Sequence, residues 1–454
     1  MGELRDLLFP LFLLLAFFGG IAAGMSTKIQ RVLFALLLLT TMRHIADIQL
    51  GYDQDFIGRQ RGTVWGFRFT FNDMMAIPLY LGLFVGSLVR PDGFRWFPRG
   101  SLAIWLLFAA EVVSLTAANE VIYGLYELNN VLLGFIVFAA VANFIRTEND
   151  LRFATVLLVL AAAIPAAVGF KQHFQFLLGQ PYISRVTGTT VHPNLLSMYL
   201  NMLLPLCLVL GLTVQRWTLR IALFGICLVG AASVMFTVSR GGVAALAFGY
   251  GVATGLWLLF SRTGNKPLKL VMLILFLVPV GVKWSPLLFE RMESANAKAS
   301  SRGRQALTDR GFEIWRTSPV VGVGVNNYAH QENTANVHNT YVLYLAELGV
   351  VGLSALILLF AAFFLNALRN VWRAPPRSLL RIVNMGVAAG LASLYLQLYA
   401  EFAIRSENIH YLFFIFGGII AGSHYLVRSS REPEVQAAPA RPKRRALEPV
   451  GAPL

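Results

Sequence analysis

The segment VHNTYVLYLAELGVVGL places His338 and Asn339 directly before a long apolar stretch with helical character. A histidine at the amino terminus of a helix tends to stay neutral, because the helix dipole disfavours the imidazolium form. A neutral imidazole can accept a proton, so His338 is a candidate general base, with Asn339 as a supporting residue. The alternative is that His338 only caps the helix.

Four arginines are candidates for binding an anion. Arg240 lies in the motif SRGG between two apolar stretches, Arg304 and Arg310 lie in the hydrophilic segment 285–340, and Arg185 precedes another apolar stretch. Guanidinium groups bind phosphate through two parallel hydrogen bonds, so these residues predict a site for a phosphate-bearing ligand. The alternatives are an interface anchor for Arg240 and surface ion pairs along a helix for Arg310.

Other polar residues near these candidates have simpler explanations. Glu347 lies deep in the apolar stretch after His338, where a lipid-facing carboxylate would be costly, so it should face the interior and have a partner. It is a possible supporting residue of the site. His192 and Asn194 are expected to be capping and loop residues, because Pro193 begins a helix.

The sequence predicts neither a metal site nor a cofactor. Asp53 and Asp55 in GYDQDF could bind a hard divalent cation, but no other acidic cluster supports them, so we expect solvated loop residues. The glycines of PVVGVGVNNY suit a tight turn, and no Walker lysine follows them. A nucleotide site is therefore not expected.

The composition excludes a water-soluble fold. Of the 454 residues, 13% are charged and 56% are hydrophobic, whereas soluble domains carry about 25% charged residues. So much apolar surface indicates that the chain is embedded in a lipid bilayer. Cys207 and Cys227 both lie in apolar stretches, which excludes a disulfide framework. We attribute the net charge of +15 to basic residues in the cytoplasmic loops next to the membrane and to a site that binds an anion. No nucleic-acid partner is expected.

The apolar stretches predict an all-α, polytopic integral membrane protein with 12 or 13 transmembrane helices. The predicted spans are 7–24, 74–90, 101–118, 124–145, 153–170, 193–214, 219–238, 241–260, 268–284, 341–366, 382–400 and 409–427, with 32–50 as a weaker candidate.

Four regions follow from these spans. Residues 1–284 form the first part of the transmembrane bundle and residues 341–427 its last part. Between them, 285–340 is one large loop that contains short helices, including one predicted over 301–318, and that bears catalytic residues. Residues 428–454 are rich in Pro, Ala and Arg and read as a disordered cytoplasmic tail.

The Lys and Arg residues of the short loops indicate the orientation, because such residues favour the cytoplasmic side. Clusters around 90–99, 146–152, 216–220, 262–269 and 369–381 all fall on one side. The opposite side then receives the candidate site residues. The orientation of the amino terminus is left open, because Lys28 and Arg31 would place Met1 outside if all 13 segments span the membrane.

The motifs SRGG, GRQALTDRGFEIWRTSPVVGVGVNNY and HNTYVLYLAELGVVGL together resemble the O-antigen ligase and O-antigen polymerase superfamily of membrane glycosyltransferases. The resemblance covers roughly residues 185–425 and is closest to the lipopolysaccharide O-antigen ligases. It implies a GT-C-like helical bundle in the bacterial inner membrane, with its active site facing the periplasm. It also implies an undecaprenyl-pyrophosphate-linked O-antigen as donor and a sugar of lipid A-core as acceptor.

Carried onto this chain, the family's loop histidine is His338, its SRG arginine is Arg240 and its loop arginine is Arg304. The aromatic residue expected soon after that arginine is displaced here, since Thr308 occupies the near position. The choice between Arg304 and Arg310 therefore stays open.

The resemblance implies an inverting, metal-independent glycosyl transfer in lipopolysaccharide biosynthesis. His338 would accept the proton of the acceptor hydroxyl, and the arginines would stabilise the departing pyrophosphate. Trp315 and Tyr328 could stack on sugar rings or pack the loop against the membrane interface.

The sequence is also compatible with other functions. An O-antigen polymerase or a protein O-oligosaccharyltransferase would use the same donor with a different acceptor. A transporter is disfavoured because the charged residues gather at one face instead of at the midplane. A purely structural membrane protein would give no reason for Arg240, Arg304 and His338 to converge.

Overall fold

The computed structural model of the protein describes residues 2–43, 47–50, 64, 66–89, 93–178, 185–262, 264–271, 282, 286, 295–329 and 336–429. The predicted span 268–284 and the acidic pair Asp53 and Asp55 therefore lie wholly or mostly outside the described residues, as does the tail predicted to be disordered.

The described chain is built almost entirely of α-helices. In chain order they are α1 (Gly2–Met25), α2 (Thr27–Thr40), α3 (Phe71–Ser87), α4 (Ser101–Ser114), α5 (Val121–Phe144), α6 (Glu148–Leu177), α7 (Pro193–Thr213), α8 (Trp217–Phe236), α9 (Arg240–Phe260), α10 (Ala295–Thr317), α11 (Thr340–Arg373), α12 (Leu379–Gln397) and α13 (Glu407–Ser429). Short 3-10 helices occupy Leu115–Ala117 and Ala403–Arg405.

A small antiparallel ladder interrupts the helical order near the amino-terminal end. Strand β1 (Asp47–Leu50) pairs with β2 (Phe67–Thr70), with Asp47 opposite Thr70. Thr70 also caps α3, since its side chain accepts a hydrogen bond from the backbone of Asp73. The weaker predicted span 32–50 is therefore wrong in its second half: α2 ends at Thr40, and the chain continues into a strand.

Eight of the described helices are long and apolar enough to cross a membrane, and two shorter apolar helices cover Phe9–Met25 and Ser101–Ala117. The protein is thus a polytopic, all-α membrane protein, as the sequence predicts. The total of 12 or 13 spans stays a prediction, as do the four regional boundaries.

Helix α7 lies at the centre of the bundle. It packs against α8, α9 and α12, and its side chains are almost all buried. Small residues allow the close contacts: a Cβ on Gly390 would lie 2.0 Å from the carbonyl oxygen of Met202 on α7. The central helix therefore fixes the ends of α9 and α12 relative to its own, and the candidate site lies at one such end.

The predicted span 341–366 is not one continuous helix. The backbone of Gly349 has φ 64° and ψ −162°, so α11 consists of a short segment before Gly349 and a long apolar segment after it. The sequence pattern did not reveal this break, because apolar residues continue without interruption on both sides.

Candidate active site

A pocket of about 230 Å³ lies where α7 and α9 begin, where α12 ends and where α10 passes over them. We call it the arginine pocket. Its polar lining includes Arg185, Asn194, Arg240, Arg304, Gln397 and Glu401. Three guanidinium groups face one carboxylate there, so the pocket favours an anionic ligand.

The SRGG motif positions Arg240 at the first residue of α9. Ser239 is the N-cap, and its hydroxyl accepts a hydrogen bond from the backbone of Gly242 at 3.2 Å. A Cβ on Gly242 would lie 2.6 Å from Oγ of Ser197 on α7, so only glycine permits this close approach. The motif thus combines a cap, a cation and a close helix contact, and it directs Arg240 into the pocket.

Arg185 and Asn194 line the pocket at the start of α7. Arg185 donates through Nε to the carbonyl of Thr237 at 2.8 Å and through Nη2 to Oδ1 of Asn194 at 2.8 Å. Asn194 in turn donates through Nδ2 to Oε1 of Glu401. Asn194 is therefore more than the loop residue that the sequence predicts, because it joins an arginine to the carboxylate of the pocket.

His192 does cap α7 as expected. Its Nδ1 accepts a hydrogen bond from the backbone of Asn194 at 3.2 Å, and Pro193 begins the helix. Burial lowers the pKa of His192, and the nearby Glu401 only partly opposes this effect. A neutral imidazole is the form that can accept this capping hydrogen bond.

Arg304 is the arginine of α10 that reaches the pocket. Its Nη1 lies 3.5 Å from Oε1 of Glu401. Arg310 lies outside the pocket, and its Nη1 lies 2.6 Å from Oε2 of Glu313 in an exposed pair one turn apart. Of the two arginines between which the sequence could not choose, only Arg304 is placed to meet a ligand there.

His338 lies beside the same carboxylate, with its Nδ1 3.4 Å from Oε2 of Glu401. Its side chain is 28% exposed, and its ring packs edge-on against Phe402. Asn339 is the N-cap of α11, because its Oδ1 accepts from the backbone of Tyr341 at 3.0 Å. His338 is thus not the cap. A carboxylate at Nδ1 orients the imidazole and leaves Nε2 to exchange a proton.

Backbone hydrogen bonds hold Glu401 against the start of α11. The backbone nitrogen of Thr340 donates to the carbonyl of Leu398 at 2.9 Å and lies 3.1 Å from the carbonyl of Glu401, and its hydroxyl donates to the latter at 2.7 Å. The end of α12 and the start of α11 therefore form one unit, which fixes the relation between His338 and Glu401.

The glycines of VVGVGVNN and LAELGVVG interlock. Val323 and Gly324 donate to the carbonyls of Ala346 and Glu347 at 3.1 and 2.9 Å. A Cβ on Gly349 would lie 2.2 Å from the carbonyl oxygen of Val320, and Gly349 has positive φ. The turn after α10 thus fits directly against the break in α11, which fastens the helix that carries Arg304 to the helix that follows His338.

A buried ion network inside the helical bundle holds the segments next to the site in place. Glu347 is fully buried and faces the interior, and its Oε2 accepts from Nη2 of Arg405 at 2.6 Å. The Nε of Arg405 lies 3.0 Å from Oε1 of Glu127 on α5. Removing one member of a buried ion network leaves an uncompensated charge, so this network ties the segment after Glu401 to the bundle.

The two candidate aromatic residues have structural contacts. Tyr328 is fully buried, and its hydroxyl donates to the carbonyl of Leu307 at 3.2 Å. Trp315 donates through Nε1 to the carbonyl of Pro319 at 3.1 Å. Tyr328 is therefore a packing residue of the loop, and no ring of a ligand can stack on it in this arrangement.

Two residues of the pocket escaped sequence reasoning. Gln397 lies near the end of the predicted span 382–400 and Glu401 directly after it, about 200 residues after Asn194, and nothing in their local pattern marks them as site residues. In the fold, Gln397 donates to Oγ of Ser197 at 2.7 Å and accepts from Asn201 at 2.8 Å. The one available signal is that Glu401 is an acid in the short segment between the predicted spans 382–400 and 409–427, on the side that also carries the candidate arginines.

The chemistry available in the pocket follows from these contacts. The amino ends of α7 and α9, with Arg185, Arg240 and Arg304, can hold an anionic group. His338 can exchange a proton a short distance away. Among the described residues, no group of three or more His, Cys, Asp or Glu side chains is placed to hold a metal ion.

The central part of the chain is similar to a known protein family. Residues 223–357 match a family model described as O-antigen ligase. This stretch contains Arg240, Arg304 and His338 and ends before Glu401. No curated protein matches the chain.

Proposed function

We propose that this membrane protein is an O-antigen ligase, since residues 223–357 match a family model of that description. It transfers a glycan from undecaprenyl pyrophosphate to a sugar hydroxyl of lipid A-core. One observation carries the proposal: Glu401 lines a pocket with three arginines, and the same carboxylate lies 3.4 Å from Nδ1 of His338. A transporter or a structural protein has no need for that combination.

His338 acts as the general base in this proposal. Its Nε2 takes the proton of the acceptor hydroxyl while the acceptor oxygen attacks the anomeric carbon of the donor glycan. Glu401, at 3.4 Å from Nδ1, holds the ring in the orientation that presents Nε2 and stabilises the imidazolium that forms. The carbon–oxygen bond to pyrophosphate breaks on the opposite face, so the anomeric configuration is inverted.

The arginines stabilise the leaving group. Both electrons of the broken bond leave with undecaprenyl pyrophosphate, whose negative charge grows during the reaction. Arg240 and Arg304 line the pocket from two sides, and Arg185 is held in place by Thr237 and Asn194. Preorganised cations of this kind stabilise developing charge without further rearrangement. The donor is already activated, and neither a nucleotide nor a metal ion enters the proposed reaction.

An apolar groove near the pocket supports a lipid-linked donor. This lateral groove has a volume of about 500 Å³ and includes Phe248, Phe360 and Leu396. Helix α9 contributes Arg240 to the pocket and Phe248 to the groove, and α12 contributes Gln397 to the pocket and Leu396 to the groove. A polyprenyl chain in the lateral groove would leave its pyrophosphate at the arginines.

The distribution of charge supports a periplasmic site. The short loops that carry arginine lie at the opposite ends of the same helices, for example Arg216 between α7 and α8 and Arg262 after α9. Such loops favour the cytoplasm. We therefore propose the bacterial inner membrane as the location, with the arginine pocket facing the periplasm.

The test is a reconstituted transfer reaction. Purified protein is mixed with an undecaprenyl-pyrophosphate-linked glycan and lipid A-core, without metal or nucleotide, and a gel shift reports glycan on lipid A-core. Transfer that His338→Ala abolishes supports the proposal. Lengthening of the lipid-linked glycan with unmodified lipid A-core would instead indicate a polymerase, and glycan on a polypeptide acceptor would indicate a protein O-oligosaccharyltransferase.

A further inference from the structure

A second cavity lies at the end of the bundle opposite to the arginine pocket. Helix α7 begins at the pocket with Asn194 and ends at this cavity with Leu210 and Thr213, about 30 Å along a helix of its length. We call the cavity the distal groove. It has a volume of about 610 Å³ and lies between α6, the end of α7, the start of α8 and the start of α12. The proposed transfer reaction makes no use of it.

One face of α6 combines a cation with an apolar stripe. Arg152, Val156 and Leu160 follow one another at intervals of four residues and all line the distal groove. Val156 is 53% and Leu160 43% exposed. Within the part of the chain that the structure describes, Arg152 has no hydrogen bond or ion pair. This order of groups matches a molecule with an anionic head and an apolar tail.

Arg377 supplies a second cation at the rim of the distal groove. It lies in the loop before α12 and has a positive φ of 65°. Its Nε and Nη2 donate to the carbonyl of Arg262 at 3.3 and 3.0 Å. These two hydrogen bonds hold the guanidinium group at the rim and leave the N–H groups of Nη1 for a ligand.

We propose that the distal groove binds a phospholipid whose head group carries a net negative charge. The phosphate lies between Arg152 and Arg377, and one acyl chain lies along Val156 and Leu160. Basic pockets between membrane helices favour anionic head groups, and the surrounding face is itself rich in arginine. The same face repels the cationic part of a zwitterionic head group, which selects against that class of lipid.

Native mass spectrometry of the purified full-length protein tests the site. The protein is titrated with phosphatidylglycerol and, separately, with phosphatidylcholine of the same acyl chains. We expect phosphatidylglycerol to bind at least about tenfold more tightly, and the double variant Arg152→Gln with Arg377→Gln to lose at least about tenfold of that affinity. Val156→Trp, which fills the groove without changing charge, should weaken binding as well.

A matched control variant distinguishes binding in the distal groove from general attraction of anionic lipid to a positively charged surface. Arg216 and Arg369 are exposed near the same end of the bundle and do not line the distal groove. The double variant Arg216→Gln with Arg369→Gln removes the same charge and should lower the affinity for phosphatidylglycerol much less than the Arg152 and Arg377 double variant does. An equal loss in both double variants, equal binding of the two lipids, or undiminished binding by both Val156→Trp and Leu160→Trp in monodisperse protein would overturn the proposal.

Discussion

Nδ1 of His338 lies 3.4 Å from Oε2 of Glu401, and Oε1 of the same carboxylate lies 3.5 Å from Nη1 of Arg304. The side chain of Glu401 therefore connects the candidate general base, His338, to Arg304, a candidate phosphate-binding residue. The two halves of the site are therefore coupled through Glu401, because each half contacts one oxygen of the same carboxylate.

Replacing His338 should abolish most of the transfer activity. Removal of a general base typically costs about 10²- to 10⁴-fold in rate, and we expect His338→Ala to fall in this range. The measurement is the initial rate of glycan transfer to lipid A-core. His192→Asn is the matched control, because asparagine can still cap α7, and it should keep near-normal activity. Near-normal transfer by His338→Ala would remove His338 from the role of base.

Replacing Glu401 should lower turnover without weakening donor binding. In Glu401→Gln the imidazole loses its charged partner, and we expect a fall in kcat of at least about tenfold. Donor affinity should stay the same or rise, because Arg304 no longer faces a carboxylate. Measured kcat and donor Kd separate this positioning role from a structural one, which would weaken both. Glu401→Asp should recover part of the turnover.

Substitutions of the two arginines of α10, Arg304 and Arg310, should differ sharply in their effect on transfer activity. Arg304→Glu should abolish transfer, and Arg304→Lys should retain part of it at a cost of roughly 10²- to 10³-fold, since lysine lacks the planar fork. Arg240 should respond in the same way. Arg310→Glu is the control on the same helix, where the exposed partner Glu313 shows a surface position. Equal activity of the Arg304 and Arg310 variants would contradict the proposed pocket.

Replacing Gly349 should destabilise the site by changing the backbone. An alanine there needs a left-handed conformation, and its Cβ would lie 2.2 Å from the carbonyl oxygen of Val320. We expect Gly349→Ala to lower the free energy of unfolding by about 1–3 kcal/mol. Thermal unfolding in detergent measures the change. Gly251→Ala on α9, where a Cβ meets nothing within 4 Å, should change stability by no more than about 1 kcal/mol.

Transfer should continue in the presence of EDTA. The proposed reaction uses arginine side chains where many glycosyltransferases use a divalent cation, so chelation should leave the initial rate unchanged. Assays with and without EDTA, followed by added Mg²⁺ or Mn²⁺, check this expectation. Strict dependence on an added metal ion would contradict the assignment of Arg240 and Arg304.

The sequence carries enough information to select Arg240, Arg304 and His338 as candidates, because Arg240 and His338 border apolar stretches and Arg304 lies in the long hydrophilic segment 285–340. It also predicts that Glu347 faces the interior with a partner, since a carboxylate at such a depth needs one. It cannot identify Arg405 as that partner or Glu401 as the partner of His338, because these contacts join segments about 60 residues apart. Only the packing of α11 against the end of α12 brings them together.

The break at Gly349 and the strand after α2 escaped prediction for a related reason. A run of apolar residues indicates burial but does not reveal whether the chain continues straight through it. The φ of Gly349 depends on the turn after α10 that occupies the space beside it. Local patterning therefore fixed the residue types of the site, and long-range packing fixed its geometry.

The interlocked glycines divide the site into two mechanical parts. Arg304 and His338 belong to segments that the turn at Gly322 and Gly324 fastens together, whereas Asn194 and Arg240 belong to the starts of α7 and α9 and Arg185 to the segment before α7. Side-chain contacts of Glu401 join the two parts. A bulky donor that pushes the two parts apart would therefore break the side-chain contacts of Glu401 before the backbone contacts at the glycines. The opening of the site is thus controlled at Glu401, and the glycine contacts stay in place.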